Sequence, residues 1–238
     1  DAILKKAEQM LKEGATILDI GGQSTRPGSE KLDADVELKR VIAPIEAIYT
    51  NFPEAFISID TYFSLVAKEA VAAGASFVND ISAGSIDSEM ISTVASLNVP
   101  YVLMHMQGTP QTMQQKSVYE NVTKEILDFF IQKTDELKKA GIKDIVIDLG
   151  FGFGKTIQHN FELLRNLSVF KMLNSPILLG ISRKSFIYKT LNISVEDSLN
   201  GTTALHSTGL LNGACILRVH DVKEAVETIN LISAYQHH

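Results

Sequence analysis

The sequence predicts an α/β fold, a (β/α)8 barrel of the TIM type with its first strand and the following loop absent from this chain. Three observations carry that expectation. Helical stretches repeatedly end at a glycine and are followed by a short apolar run. Those runs are nearly all apolar, as strands buried on both faces of a parallel sheet should be. Several of them end in a charged or amide residue, and the carboxyl ends of barrel strands are where chemistry collects.

Taken in order, Leu11-Lys12-Glu13-Gly14 leads into Thr16-Ile17-Leu18-Asp19-Ile20, and Val71-Ala72-Ala73-Gly74 into Ser76-Phe77-Val78-Asn79-Asp80. Lys138-Lys139-Ala140-Gly141 leads into Ile145-Val146-Ile147-Asp148, and Leu211-Asn212-Gly213 into Cys215-Ile216-Leu217-Arg218-Val219. Glycine just past a helix supplies a left-handed cap at low steric cost. Phe56-Ile57-Ser58-Ile59, Tyr101-Val102-Leu103-Met104 and Ile177-Leu178-Leu179-Gly180-Ile181 complete seven strands. Seven alternating units behind a leading helix read as a barrel lacking one strand; an open doubly wound sheet is the alternative. The chain opens at Asp1 directly in helical periodicity, and is expected to be processed or N-terminally incomplete.

Composition narrows the function. The 238 residues hold 22 Lys plus Arg against 28 Asp plus Glu, a net charge of −6, with 45% hydrophobic and 21% charged residues. These are globular proportions, and the acidic balance argues against nucleic acid as a partner. No apolar run approaches the roughly 20 residues of a membrane span. The lone Cys215 excludes an intramolecular disulfide and fits a reducing, cytoplasmic compartment. Within its apolar run it reads as an inert core thiol.

Several motifs fail on inspection. Gly150-Phe151-Gly152-Phe153-Gly154-Lys155-Thr156 resembles a phosphate-binding P-loop, but position 149 is Leu where that motif needs Gly. Position 155 is Lys, so G-x-G-x-x-G is not satisfied either. His105 and His220 lack partners at zinc-ligand spacing, and no G-x-S-x-G elbow is present. The loop Gly21-Gly22-Gln23-Ser24-Thr25-Arg26-Pro27-Gly28 is more informative. Hydroxyls, backbone N–H groups and a guanidinium suit a phosphate, although an ordinary strand-to-helix turn has the same composition. In a closed barrel Arg218 and His220, at the last strand, would face the same place.

Ordered motifs then carry a resemblance. They are Asp19 to Gly28, Ser58-Ile59-Asp60-Thr61, Val78-Asn79-Asp80-Ile81, Met104-His105-Met106-Gln107-Gly108-Thr109-Pro110, Asp148 to Lys155, Ser182-Arg183-Lys184 and Arg218-Val219-His220-Asp221. Together they resemble dihydropteroate synthase, the pterin-binding barrel family of folate synthesis that sulfonamides target, over nearly the whole chain. The resemblance implies one pterin-binding domain over residues 1–238. It implies a transferase joining 6-hydroxymethyl-7,8-dihydropterin pyrophosphate to p-aminobenzoate, giving 7,8-dihydropteroate and pyrophosphate by an S_N1-like displacement. Asp60, Asn79, Asp148 and Lys184 would hold the pterin. Thr25, Arg26, Arg218 and His220 would bind pyrophosphate, and Thr25, Pro27, Phe153 and Ser182 would line the p-aminobenzoate site. Asp60, Lys184, Arg218 and His220 form the implied catalytic set.

The implied cofactor is Mg²⁺, whose expected ligand belongs to the absent first strand, so no metal ligand is assigned in this chain. The implied assembly is a homodimer, with Thr202 to Leu210 a small-residue stretch that could pack either on a partner or on its own barrel. Leu149 stands where the family usually has proline. Two other readings stay open. A methyltetrahydrofolate:corrinoid methyltransferase-like enzyme would share the Asp and Asn pterin contacts but need no pyrophosphate loop. A non-catalytic pterin-binding barrel is the other.

Overall fold

The structure is a computed structural model that describes residues 2–24, 29, 32–109, 112, 113 and 117–237. After helix α1 (Ala2–Lys12) the chain alternates strand and helix: β1 (Ile17–Gly21), α2 (Ala34–Asn51), β2 (Phe56–Asp60), α3 (Ser64–Ala72), β3 (Phe77–Asp80) and α4 (Met90–Leu97). Next come β4 (Tyr101–Met104), α5 (Val122–Lys139), β5 (Ile145–Asp148), α6 (Ile157–Arg165), β6 (Ile177–Leu179), α7 (Ser185–Leu191), α8 (Leu199–Leu211), β7 (Ile216–Leu217) and α9 (Val222–His237). Short 3-10 helices at Leu167–Leu173 and Glu196–Ser198 are irregularities that helical periodicity does not reveal.

The seven strands are all parallel and hydrogen-bonded in strict sequence order from β1 to β7. A doubly wound sheet reverses its strand order at a switch point; this sheet never does, and it curls as a barrel wall curls. That decides between the two architectures the sequence left open and bears out a barrel lacking its first strand. Gly14, Gly74, Gly141 and Gly213, the four predicted helix terminators, all adopt positive φ. The last strand is shorter than its apolar run, because only Ile216 and Leu217 pair with β6.

Strand parity sorts the side chains. Successive residues of a strand point to opposite faces. Leu18, Ile57, Ile59, Val78, Tyr101, Leu103, Ile145, Ile147, Ile177 and Leu179 join the main core between sheet and helices. The intervening Val102, Val146 and Leu178 form a separate small cluster with Ile216 inside the curl. By the same alternation Asp19, Asp60, Asn79 and Asp148 face inward, while Asp80 falls on the helix side. There Asp80 is buried and accepts from the Tyr101 hydroxyl at 2.7 Å and from the backbone N–H groups of Ser82 and Gly84 at 2.7 and 2.8 Å. Adjacent acidic and amide residues at the end of β3 thus have separate jobs, and Asp80 is structural.

Candidate active site

The register brings the inward polar residues together. Asp60 pairs with Gly21 on one side and Asn79 on the other, and Asp148 pairs with Met104. Arg218, immediately after β7, reaches across to β1 and β2: its Nε donates to Asp19 Oδ2 at 2.5 Å and Nη2 to Asp60 Oδ2 at 2.7 Å. Asn79 Nδ2 also donates to Asp19 Oδ2, at 3.3 Å. Burial drives the Asp60 carboxyl up to about 7, with Arg218 opposing and Asp19 adding to the rise. Burial works against the Arg218 charge, but Asp19 and Asp60 more than offset it and hold the guanidinium above its usual value.

A second group forms around Asp148. Its Oδ1 accepts from the Gly150 backbone N–H at 2.8 Å. Burial raises this carboxyl, and Lys184 is the largest influence pulling it back down. Lys184 Nζ donates to the Phe151 carbonyl and lies 4.4 Å from the centre of the Phe153 ring, a cation–π contact. Burial lowers the Lys184 pKa to about 8, with Asp148 opposing. The glycine-rich loop that presents Phe151 and Phe153 needs its glycines at two places. Gly150 has φ +66° and a Cβ there would lie 1.9 Å from the His105 carbonyl oxygen; Gly154 has φ +63° and would meet the Gln107 carbonyl at 2.7 Å. The loop ends where Thr156 caps α6 in a reciprocal box with His159.

Ser182 and His220 also meet. The Ser182 hydroxyl lies 3.0 Å from His220 Nδ1 and accepts from the His220 backbone N–H at 3.2 Å. Arg183, between Ser182 and Lys184, grips Asp221 with two bonds of 2.8 and 2.9 Å and two carbonyls, Val195 and Glu196, at 3.1 and 2.7 Å. This pair ties the Ser182-Arg183-Lys184 segment to the Arg218-Val219-His220-Asp221 segment. A cleft of ≈ 730 Å³ lies between β1 and β7, and Asp19, Ser182, Lys184, Arg218 and His220 are among its walls. Lys6, Met10, Val222, Ala225 and Ile229 line its other side, so it lies between α1 and α9 where the first strand of the closed barrel would sit.

Of the expected site residues, Ser182, Lys184, Arg218 and His220 line this cleft, while Asp60, Asn79, Asp148 and Phe153 are not among its walls; Asp60 is bonded to Arg218, Asn79 to Asp19, and Phe153 stacks against Lys184. Thr25, Arg26 and Pro27 lie outside the described residues. Sequence reading assigned no role to Asp19, Lys155, Gln23, Glu37 or Tyr62. The Tyr62 hydroxyl donates to Gln23 Oε1 at 2.7 Å, and Gln23 Nε2 donates to the buried Glu37 at 2.6 Å. This chain joins the loops after β1 and β2 to α2. Asp19 had a signal, its strand-end position, and Lys155 and Gln23 lay within glycine-containing loop motifs; Glu37 and Tyr62 had none. One expectation is corrected: Cys215 is exposed, not a core thiol. It precedes the short β7 at the edge of the sheet and lines the cleft.

A family model of pterin binding enzymes matches residues 1–220. The dihydropteroate synthase of Escherichia coli (strain K12) is 42% identical over 236 residues, which cover 98% of this chain and 83% of that protein. This chain belongs to the dihydropteroate synthase family. Its members are transferases of folate synthesis. The family enzyme of Haemophilus influenzae is 41% identical over 98% of this chain and 85% of its own length. The Yersinia pestis dihydropteroate synthase, solved with a sulfonamide drug complex, superposes with a TM-score of 0.95 at 38% identity, covering 98% of this chain and 85% of that one. The Xanthomonas albilineans dihydropteroate synthase, solved with 4-aminobenzoic acid, gives 0.92 at 36% identity over 99% and 86%.

Proposed function

We propose that this chain condenses 6-hydroxymethyl-7,8-dihydropterin pyrophosphate with p-aminobenzoate at the mouth of its curled sheet. The observation that carries the reading is the inward set Asp60, Asn79, Asp148, Lys184 and Arg218, gathered from five strand ends. A pterin edge offers amidine-like N–H donors. Asp148 can accept two of them, and Asn79 can both donate and accept. Lys184, beside Asp148, holds a pterin oxygen or nitrogen by donation. Leaving those ring groups unpaired in the cleft would cost about 1–3 kcal/mol each.

Breaking the bond from the pterin methylene to pyrophosphate leaves positive charge on the ring and negative charge on the leaving group. Asp60 faces the first, and Arg218 and His220, with Thr25 and Arg26, bind the second. This is charge placed in advance where the transition state needs it. The amine of p-aminobenzoate, for which Thr25, Pro27, Phe153 and Ser182 are the assigned partners, then bonds to the methylene carbon that pyrophosphate has left and gives up one N–H proton, an S_N1-like displacement. No enzyme nucleophile is required. Asp60, Lys184, Arg218 and His220 are the catalytic residues in this reading.

Magnesium belongs to it as well. Among the described residues no group of three His, Cys, Asp or Glu could hold a metal by itself. Mg²⁺, however, keeps several waters and takes only one or two carboxylates beside substrate phosphates. Asp19 Oδ1 is buried with no hydrogen-bond partner among the described residues, an oxygen that fits such an ion. When bound, the ion neutralises charge on the diphosphate. We further place the chain in the cytoplasm as a one-domain homodimer. The lone cysteine supports the compartment, and among the described residues no helix is long and apolar enough to cross a membrane. Exposed Leu191, Leu211, Leu231 and Tyr235 on α7 to α9 support an assembly surface. The buried Thr202, His206 and Gly209 of α8 serve its own barrel.

Incubating the chain with both substrates and Mg²⁺ tests the reaction. Pyrophosphate release that depends on p-aminobenzoate supports it. Pterin binding without release in a folded chain would favour the non-catalytic reading.

A further inference from the structure

Lys155 has no part in the chemistry above, yet it is 4% exposed and lies at the centre of the loop architecture. Its Nζ contacts the Gly150 carbonyl at 2.9 Å, the Phe153 carbonyl at 3.0 Å, His105 Nδ1 at 3.1 Å and the His105 carbonyl at 3.3 Å. An ammonium has three donors and no acceptor. A neutral amine would turn a lone pair toward carbonyl oxygens, so the cage is shaped for the cation. Donation to Nδ1 leaves the His105 proton on Nε2. Burial, with the Lys155 charge adding, holds the His105 pKa well below its ordinary value and keeps the ring neutral.

Two consequences follow from this cage. Two of the carbonyls it gathers, those of Gly150 and Phe153, belong to the loop whose Phe151 carbonyl and Phe153 ring meet Lys184, and the third is that of His105 after β4. Lys155 therefore sets where those groups stand. It also carries charge: the groups that favour the ionised Asp148 are Lys184, the Gly150 N–H, Arg218 and, as the smallest of the four, Lys155. The charged or titratable groups facing Lys155 are Asp148, Lys184 and His105. Burial brings the Lys155 pKa down to about 7 against the pull of Asp148, so the cation is present below neutrality.

We propose that Lys155 is a positioning residue for this reaction: its amino group clamps the 150–154 loop to the end of β4 and, when protonated, places a positive charge near Asp148. The proposal rests on the reading of Asp148 as the pterin anchor.

Pterin binding across pH by the wild-type chain, Lys155→Met and Tyr119→Phe tests it. Tyr119→Phe removes another loop bond, from the Tyr119 hydroxyl to the Gly154 carbonyl at 3.1 Å, and leaves every charge near Asp148 in place. Lys155→Met should move the acid limb of binding up by about one pH unit, about tenfold in affinity below neutrality, with a smaller loss above it. Tyr119→Phe should leave the limb where it is. A folded Lys155→Met with an unmoved acid limb overturns the proposal. If Lys155→Met does not fold, the coupling is read from the other side, by NMR of the Lys155 side chain with and without Asp148→Asn. Interaction between two sites is reciprocal. The Lys155 titration should fall by about one unit in Asp148→Asn, and no change would overturn the proposal. If Asp148→Asn binds the pterin as the wild type does, the anchor reading fails, while the Lys155 titration still decides the coupling.

Discussion

Arg218 Nε lies 2.5 Å from Asp19 Oδ2, across 199 positions of sequence. The same guanidinium holds Asp60 at 2.7 Å, so the end of the last strand is bonded to the ends of the first two. In the proposed reaction this bridge would set a cation for the leaving group beside a carboxylate for the pterin charge.

Replacing Asp60 by Asn keeps the shape and removes the charge. Turnover should fall by about 10²-fold or more, with pterin affinity changing far less. Steady-state kcat set beside a calorimetric Kd checks this, and the reverse pattern would remove Asp60 from the catalytic set.

Arg218→Met should weaken binding of the pyrophosphate-bearing pterin more than that of the plain pterin. It also leaves the Asp19 and Asp60 charges unopposed, so the Asp60 carboxyl should titrate at still higher pH. Comparing the two ligands by titration, and the acid limb of kcat/KM with the wild type, tests both effects.

The wild-type profile of kcat/KM against pH reports the free enzyme. Asp60 must be ionised to act, and burial has raised it to about 7, so activity is lost as pH falls through that region, well above an ordinary carboxylate. Lys184 must be protonated to donate, and burial has lowered it to about 8, so activity is lost again as pH rises through it. A narrow bell near neutrality is expected; a flat profile down to the ordinary carboxylate range would contradict the Asp60 role.

Gly150→Ala should be among the most damaging single-methyl changes in the protein. It demands φ near +66° from a residue with a Cβ and puts that Cβ 1.9 Å from the His105 carbonyl. Backbone movement must follow, at a cost of about 1–3 kcal/mol or more. Thermal unfolding should register it, together with a raised KM for p-aminobenzoate through the displaced Phe153.

The strands were legible because parallel sheets buried on both faces write themselves as short apolar runs, and Asp60, Asn79 and Asp148 were legible as the polar residues at the carboxyl ends of those runs. Their sidedness was harder. Asn79 and Asp80 look alike as neighbours, and only the register separates the inward amide from the buried structural carboxylate. Cys215 was misread because its run looks like a full core strand, whereas β7 pairs over two residues at a sheet edge. Lys155 was hidden in a motif resembling a P-loop; a buried lysine and a phosphate-binding one are the same letter. The Tyr62–Gln23–Glu37 chain depends on three segments meeting in space, which no local pattern encodes.

The central claim is that the inward carboxylate of β5 anchors a pterin. Calorimetric titration of the pterin pyrophosphate into the wild-type chain and into Asp148→Asn tests it most directly. The account predicts saturable one-site binding by the wild type and a loss of about tenfold or more in the variant, as buried ring donors lose a charged acceptor. Equal affinity in both folded proteins would contradict it.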